Sequence, residues 1–183
     1  VIFSPRANLR FNPTQNINLR LSYSSGFRAP QAFDEDMHIE NVGGTVAMIE
    51  RAKDLKEEKS QSFSVSADMY HRFGAFQTNL LIEGFYTRLT DVFVLGKPYD
   101  RGDGILVKTR SNGPGAKVMG LTLEGKVAYL SILQIQAGLT LQRSRYDEPH
   151  KWHDDAPAEK KIFRTPDTYG YFTATCTPIK PLS

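Results

Sequence analysis

No stretch of this 183-residue chain approaches the roughly 18 consecutive apolar residues that a membrane-crossing helix needs. Mean hydropathy is only −0.40, so bulk composition carries no membrane signal either. Both absences exclude helical membrane proteins. Neither excludes a membrane β-barrel, because only one face of each of its strands meets lipid. Cysteine is nearly missing: Cys176 stands alone, which rules out an internal disulfide framework. Its neighbours Thr175 and Thr177 suggest a strand position, where a small packed residue is expected rather than a reactive thiol. Charge of one sign is not in excess. Twenty-three basic and 20 acidic side chains are interspersed, net +3, without a Lys/Arg block, so nucleic acid is not an expected partner. Catalytic signatures are missing too. There is no Gly-x-Ser-x-Gly elbow and no His-Glu-x-x-His, Asp147-Glu148 has no placed partner, and Gly113-Pro114-Gly115 reads as a turn. The chain is not expected to be an enzyme or to hold a cofactor. Finally, Val1 to Pro5 lacks the basic start, apolar core and cleavage site of a secretory leader. The sequence reads as beginning inside a strand and stopping at a turn near Pro178 and Pro181, as a piece of a longer protein would.

What is present is an alternation of short turns and long loops. Asn12-Pro13-Thr14-Gln15, Arg72-Phe73-Gly74-Ala75 and Tyr129-Leu130-Ser131 are tight connections, while 26–59, 97–114 and 147–167 are long and polar. Short turns at one rim and long loops at the other are the wiring of an outer-membrane barrel. Between them the side chains alternate with period two, which argues for strands. Ala7, Leu9 and Phe11 oppose Asn8, Arg10 and Asn12; Ile17, Leu19, Leu21 and Tyr23 oppose Asn18, Arg20, Ser22 and Ser24. Phe63, Val65, Ala67 and Met69 oppose Ser62, Ser64, Ser66 and Asp68. Leu133, Ile135, Ala137, Leu139 and Leu141 oppose Gln134, Gln136, Gly138, Thr140 and Gln142. Two further segments, 79–87 and 119–127, alternate less cleanly, with Leu81 and Phe85 on the polar side. A seventh strand, 168–177, carries Tyr and Thr on both faces. The expected fold is all-β: an antiparallel meander of about seven strands, an open curved portion of a large transmembrane barrel.

The polar faces are rich in Ser, Gln, Asn and Thr rather than Lys and Glu. That suits a wet lumen or a surface packed on another polar domain, although a plain solvated face is the simpler account. Phe11, Phe27, Phe73, Phe76, Tyr129 and Tyr146 lie near strand ends, as the aromatic girdles at membrane interfaces do. Aromatics also pin hairpin ends in ordinary sheets.

The stretch from Ser22 through Gly26-Phe27-Arg28-Ala29-Pro30 to His38 resembles the signature of TonB-dependent outer-membrane receptors, a strand that ends in Gly-Phe-Arg-Ala-Pro and leads into a long outer loop. Leu55-Lys56-Glu57-Glu58-Lys59-Ser60 is similar to that family's return into the next strand. Glu83-Gly84-Phe85-Tyr86 with Asp91, Asn112-Gly113 through Gly120 and Glu124-Gly125, and Arg164-Thr165-Pro166 with Tyr169-Gly170-Tyr171 follow in the family's order. The resemblance runs through nearly the whole chain. It implies a plugged barrel of about 22 strands, of which residues 1–183 would supply a part, with the plug, the energy-coupling box, the N-terminal strands and the final strands lying elsewhere. The implied location is the bacterial outer membrane. The implied partners are outer-membrane lipid, the protein's own plug, the inner-membrane TonB complex and a small solute or metal chelate, such as siderophore-iron or cobalamin.

Candidate site residues lie in the long segments. His150, Trp152 and His153, with Asp154 and Asp155, form the richest loop: two imidazoles suit a transition metal and the sole tryptophan suits stacking on a ligand. Two His in one loop do not complete a metal site, so Trp152 is the first expected ligand contact. Phe33 precedes a carboxylate-rich segment, 34–40, that contains His38 and lacks the spacing of a calcium loop. Arg28 is expected to face the plug, while Gly26 and Pro30 more simply end the strand. Two other readings compete. A soluble all-β carbohydrate-binding sandwich would bury Leu133, Ile135, Leu139 and Leu141 under a second sheet. A nonspecific porin would share the barrel but leave the motif series unexplained.

Overall fold

The computed structural model describes residues 3–30, 47–102, 104–130, 132–150, 157–162 and 165–177. Seven long strands run antiparallel: β1 (Arg6–Thr14), β2 (Ile17–Arg28), β4 (Glu58–Phe73), β5 (Phe76–Thr90), β9 (Ala116–Tyr129), β10 (Leu133–His150) and β12 (Thr168–Cys176). They pair in the order β1-β2-β4-β5-β9-β10, and the far edge of β10 takes both β12 and the short β11 (Glu159–Lys161). The expected seven-strand meander is therefore present. Each turn is as short as the sequence suggests. Gly74 sits at φ 57°, a left-handed geometry that glycine adopts without penalty, and lets Phe73 pair directly with Phe76.

Register aligns the apolar residues into continuous rows. Leu9, Leu21, Val65, Gly84, Leu121 and Leu141 stand opposite one another from strand to strand. Phe11, Leu19, Ala67, Ile82, Leu123 and Leu139 form the next row. A one-residue slip of any strand would turn its greasy side chains to the polar face, so the rows fix the register. The large apolar residues of both rows are exposed, Val65 at 59% and Leu121 at 49%, whereas Ser62, Ser64 and Ser66 are half-buried. The usual order of a soluble sheet is inverted. Leu133, Ile135, Leu139 and Leu141 are exposed as well, which removes the sandwich alternative.

The polar face is held by side chains rather than by a core. Ser62 and Thr87 share a hydrogen bond of 2.9 Å, Thr122 and Thr140 one of 3.1 Å. Asp68 accepts from the Tyr70 hydroxyl at 2.7 Å and from the Asn79 amide. Leu81 and Phe85 do stand on this face, and there is a reason for Phe85. Its ring lies across Gly120, where a Cβ would meet it at 2.5 Å. Tyr171 covers Gly138 in the same way and accepts a hydrogen bond from Gln136 at 2.8 Å. Pairing also assigns the two faces of β12: Thr168, Gly170, Phe172, Ala174 and Cys176 go outward, Tyr169 and Tyr171 inward. Cys176 is exposed on the outward face, not packed as its threonine neighbours suggested, because β12 has no described strand beyond it.

From Phe63 to Phe73 the outward face spans ten residue-to-residue steps, about 33 Å of strand at about 3.3 Å each. A tilt of about 40° reduces this to about 25 Å, the height of an outer-membrane apolar band. Aromatics mark both limits. Phe73 stacks on Phe76 at 5.4 Å and Phe76 meets Tyr129 at 4.9 Å on the short-turn rim; Tyr23 meets Phe63 at 4.7 Å at the other. Phe27 and Phe11 are outward too, but Tyr146 lies on the inner face opposite Ala116 and belongs to no girdle.

We expect Leu123→Arg, near the middle of the band, to destabilise the full-length barrel in lipid by about 2–4 kcal/mol, and Thr122→Arg, on the wet face, to cost much less. Reversible urea unfolding in vesicles checks both.

Candidate functional site at the loop roots

The long segments are not structureless. Four short strands, β3 (Ala47–Arg51), β6 (Phe93–Leu95), β7 (Tyr99–Asp100) and β8 (Leu106–Asn112), form a second sheet in the order β3-β8-β6, with β7 also on β8. β3 runs parallel to β8, so the outer segment after β2 is knitted to the one after β5. Val107 of β8 is fully buried and anchors this small sheet. The 26–59 and 97–114 segments were expected as loops. The apolar runs 92–95 and 105–107 are the signal that could have revealed strands within and beside them.

Motif residues from three distant segments meet where this sheet joins the barrel. Asn112 uses its whole amide there. Its Oδ1 accepts from the Lys56 N–H at 2.7 Å, and its Nδ2 donates to the Lys56 carbonyl at 3.0 Å and to the Asp91 carbonyl at 2.8 Å. Asp91 turns the chain out of β5 at φ 55°, a conformation Asp tolerates better than most side chains. The Phe93 amide donates to Glu58 Oε2 at 3.0 Å, and the Arg28 guanidinium lies 5.7 Å from the centre of the Phe93 ring. Arg28 pairs with Glu58 in register on the inner face. Close approach explains the glycines. A Cβ on Gly113 would strike Val94 at 2.6 Å, and one on Gly115 the Leu89 carbonyl at 2.7 Å.

Ion pairs fasten the rest of the rim. Arg88 reaches Asp147 at 2.8 Å, tying β5 to β10 across β9. Lys161 reaches Asp167 at 2.7 Å. That bond holds the Asp167 carboxyl below its ordinary value, with Lys161, Arg145 and Arg143 adding attraction against partial desolvation. Glu57 is also lowered, first by a backbone hydrogen bond and then by Lys59 at 3.1 Å. Among the described residues no three His, Cys, Asp or Glu side chains converge on a metal-sized site.

Of the site residues expected from sequence, Arg28 is placed as above. Phe33, His38, Trp152 and His153 lie outside the described residues. The backbone of His150 ends β10 and pairs with Glu159. The structure thus brings together the motif residues and does not test the loop constellation.

The arrangement is an inside-out sheet with knitted segments at one rim, and comparison with known proteins gives it a name. The family described as TonB dependent receptor-like, beta-barrel, matches residues 2–175. The chain belongs to the TonB-dependent receptors. These are bacterial outer-membrane transporters and receptors, not enzymes. Among solved structures, the FrpB iron transporter of Neisseria meningitidis (F3-3 variant) is similar at 19% identity and TM-score 0.56, covering 87% of this chain and 21% of its own. The siderophore receptor PirA of Pseudomonas aeruginosa is similar at 18% identity and TM-score 0.61, covering 79% of this chain and 28% of its own. At such identities the likeness shows the fold alone. The chain spans about a fifth to just over a quarter of the length of these receptors. No curated protein matches.

Replacing Asn112 by Ala removes three hydrogen bonds and strands the Lys56 and Asp91 groups. We expect about 1–3 kcal/mol of lost local stability, read as faster amide exchange over 47–56 and 106–112 with the transmembrane strands unchanged. The Lys161–Asp167 pair predicts a pH effect. Asp167 is lowered from 3.8, so its contribution is complete above that pH and is lost as pH falls through the folded value below it. The Gln142 amide, which donates to the Asp167 carbonyl at 2.7 Å, reports the loss as faster exchange. Asp167→Asn removes that pH dependence.

Proposed function

We propose that this chain is part of the barrel wall of a receptor for energy-coupled uptake of a scarce solute, a metal chelate such as siderophore-iron, or cobalamin. The observation that carries the reading is the second sheet, rooted by Asn112, which ties two outer segments above the inward polar face. A pore for indiscriminate diffusion gains nothing from ordered outer segments. A receptor does, because segments ordered before the solute arrives lose less entropy on binding it. The iron transporter and siderophore receptor with similar folds support the class of cargo.

In this reading residues 1–183 form a partial barrel domain, and the plug and the strands that close the barrel come from the rest of the parent protein. Closure is required, because lipid leaves an open sheet edge unsatisfied. The proposed solute contacts in the outer segments are Trp152, as a stacking surface, His150, His153, His38 and Phe33. Arg28, on the inner face beside Glu58, contacts the plug. The inner-membrane TonB complex then supplies the work that remodels the plug and lets solute pass.

Uptake of labelled ferric chelates and cobalamin by a strain deleted for the parent protein, and by the complemented strain, tests this. Uptake restored by the gene should saturate with concentration and vanish when the proton gradient is collapsed. Linear, gradient-independent uptake would instead make the protein a diffusion pore. Trp152→Ala should raise the half-saturating concentration about 30-fold, the weight of a typical aromatic hot spot.

A further inference from the structure

Asn112 precedes Gly113, and this is the only Asn-Gly step in the sequence. The other asparagines precede Leu, Pro, Ile or Val. Asparagine is a thermolabile residue, and it is most prone to spontaneous deamidation before glycine, which leaves the next backbone nitrogen free to approach its side chain. Here contacts fix both members of the step. Position 112 needs an amide, because its oxygen accepts the Lys56 N–H while its nitrogen donates to the Lys56 and Asp91 carbonyls. Position 113 needs glycine, because a Cβ would lie 2.6 and 2.9 Å from the two methyls of Val94, a stiff β-branched side chain. The second sheet thus carries a labile step at its own root.

The fold also guards that step. Cyclisation requires the Gly113 nitrogen to lose its proton and close on Cγ of Asn112. The Gly113 N–H is engaged by the Val92 carbonyl at 2.7 Å. Three hydrogen bonds hold the Asn112 amide toward Lys56 and Asp91, and Asn112 pairs with Phe93 in the ladder between β6 and β8. Attack therefore waits until the end of β8 parts from these partners.

We propose that Asn112-Gly113 is a self-modification site, guarded while the second sheet is closed and converted irreversibly when it opens. The Gly113 nitrogen, its proton passed to water, bonds to Cγ of Asn112. The Cγ–Nδ2 bond breaks, and that nitrogen takes up a proton and leaves as ammonia. Water then opens the cyclic imide at one carbonyl to give aspartate, or at the other to give isoaspartate. Nothing is oxidised or reduced: one water enters and one ammonia departs. Aspartate has no N–H to offer, so the Lys56 and Asp91 carbonyls face a carboxylate in place of a donor. Isoaspartate lengthens the backbone between positions 112 and 113 and displaces Gly113 from Val92. Either product unfastens the second sheet from the barrel rim, whichever solute the receptor takes.

The test follows uptake of heavy oxygen from labelled water at Asn112, read by peptide mass spectrometry. The full-length receptor is compared folded in micelles and unfolded in urea, at mildly alkaline pH. The unfolded chain should label at Asn112 and not at Asn18 or Asn79. The folded receptor should label about a hundredfold more slowly. Val107→Ala, which weakens the buried anchor of the second sheet, should speed labelling of the folded receptor about tenfold and leave the unfolded rate unchanged. Heat-modifiable migration shows that this variant is folded; where it is not, wild-type labelling should rise with urea below the unfolding range. Gly113→Ala should slow labelling of the unfolded chain. Asn112→Asp, the product itself, should speed amide exchange over 47–56 and 106–112 and leave the transmembrane strands unchanged. No label at Asn112 in the unfolded chain, equal rates folded and unfolded, a folded rate insensitive to both Val107→Ala and urea, or unaltered exchange in Asn112→Asp would each overturn the proposal.

Discussion

Hydrocarbon offers a backbone amide nothing to bond with. Every other feature of this sheet follows from that constraint. Within the apolar band each strand must find its partners in its neighbours, so pairing runs without a break for 14 consecutive residue pairs between β5 and β9 and again between β9 and β10. Continuous pairing in turn forces strict alternation, and alternation is what sends leucine and valine outward and serine and threonine inward. In water the same outward face would be a liability. In lipid it is the stabilising surface, since each apolar side chain there leaves water as it would in a protein core.

The inner face solves a different problem. It is wet, so its polar groups carry no obligation to be paired, yet many of them are. Hydroxyl pairs such as Ser62 with Thr87 and Thr122 with Thr140 cross-link neighbouring strands at low cost in side-chain entropy, which long charged residues would not. Glycines at 120 and 138 admit the rings of Phe85 and Tyr171, so an aromatic braces the sheet without raising the face into the channel.

Much of this was legible in the residues. Period-two alternation placed six of the seven long strands, four of them cleanly, and the turns at Phe73-Gly74 and Tyr129-Leu130 fixed which rim is short. The readings that failed share a cause: they depended on partners far away in sequence. Phe85 breaks alternation only until Gly120 is set beside it. The two sides of β12 are ambiguous until β10 provides its register. Tyr146 sits near a strand end, but parity along β10 turns it inward. The second sheet joins segments about 60 residues apart through a parallel pair, Ala47 with Leu106, that no local pattern announces. Asn112 lay in a motif stretch, yet its role as a three-way clamp required knowing that Lys56 and Asp91 arrive at the same point.

β10 carries a further consequence. Its 18 residues span about 60 Å at about 3.4 Å each, and at a tilt of about 40° roughly 20 Å of that rises beyond the apolar band. The strand is therefore a stilt as well as a wall. It lifts the start of the following segment clear of the headgroup layer on hydrogen-bonded scaffolding. The height of that outer segment is thus set by the backbone of the wall itself.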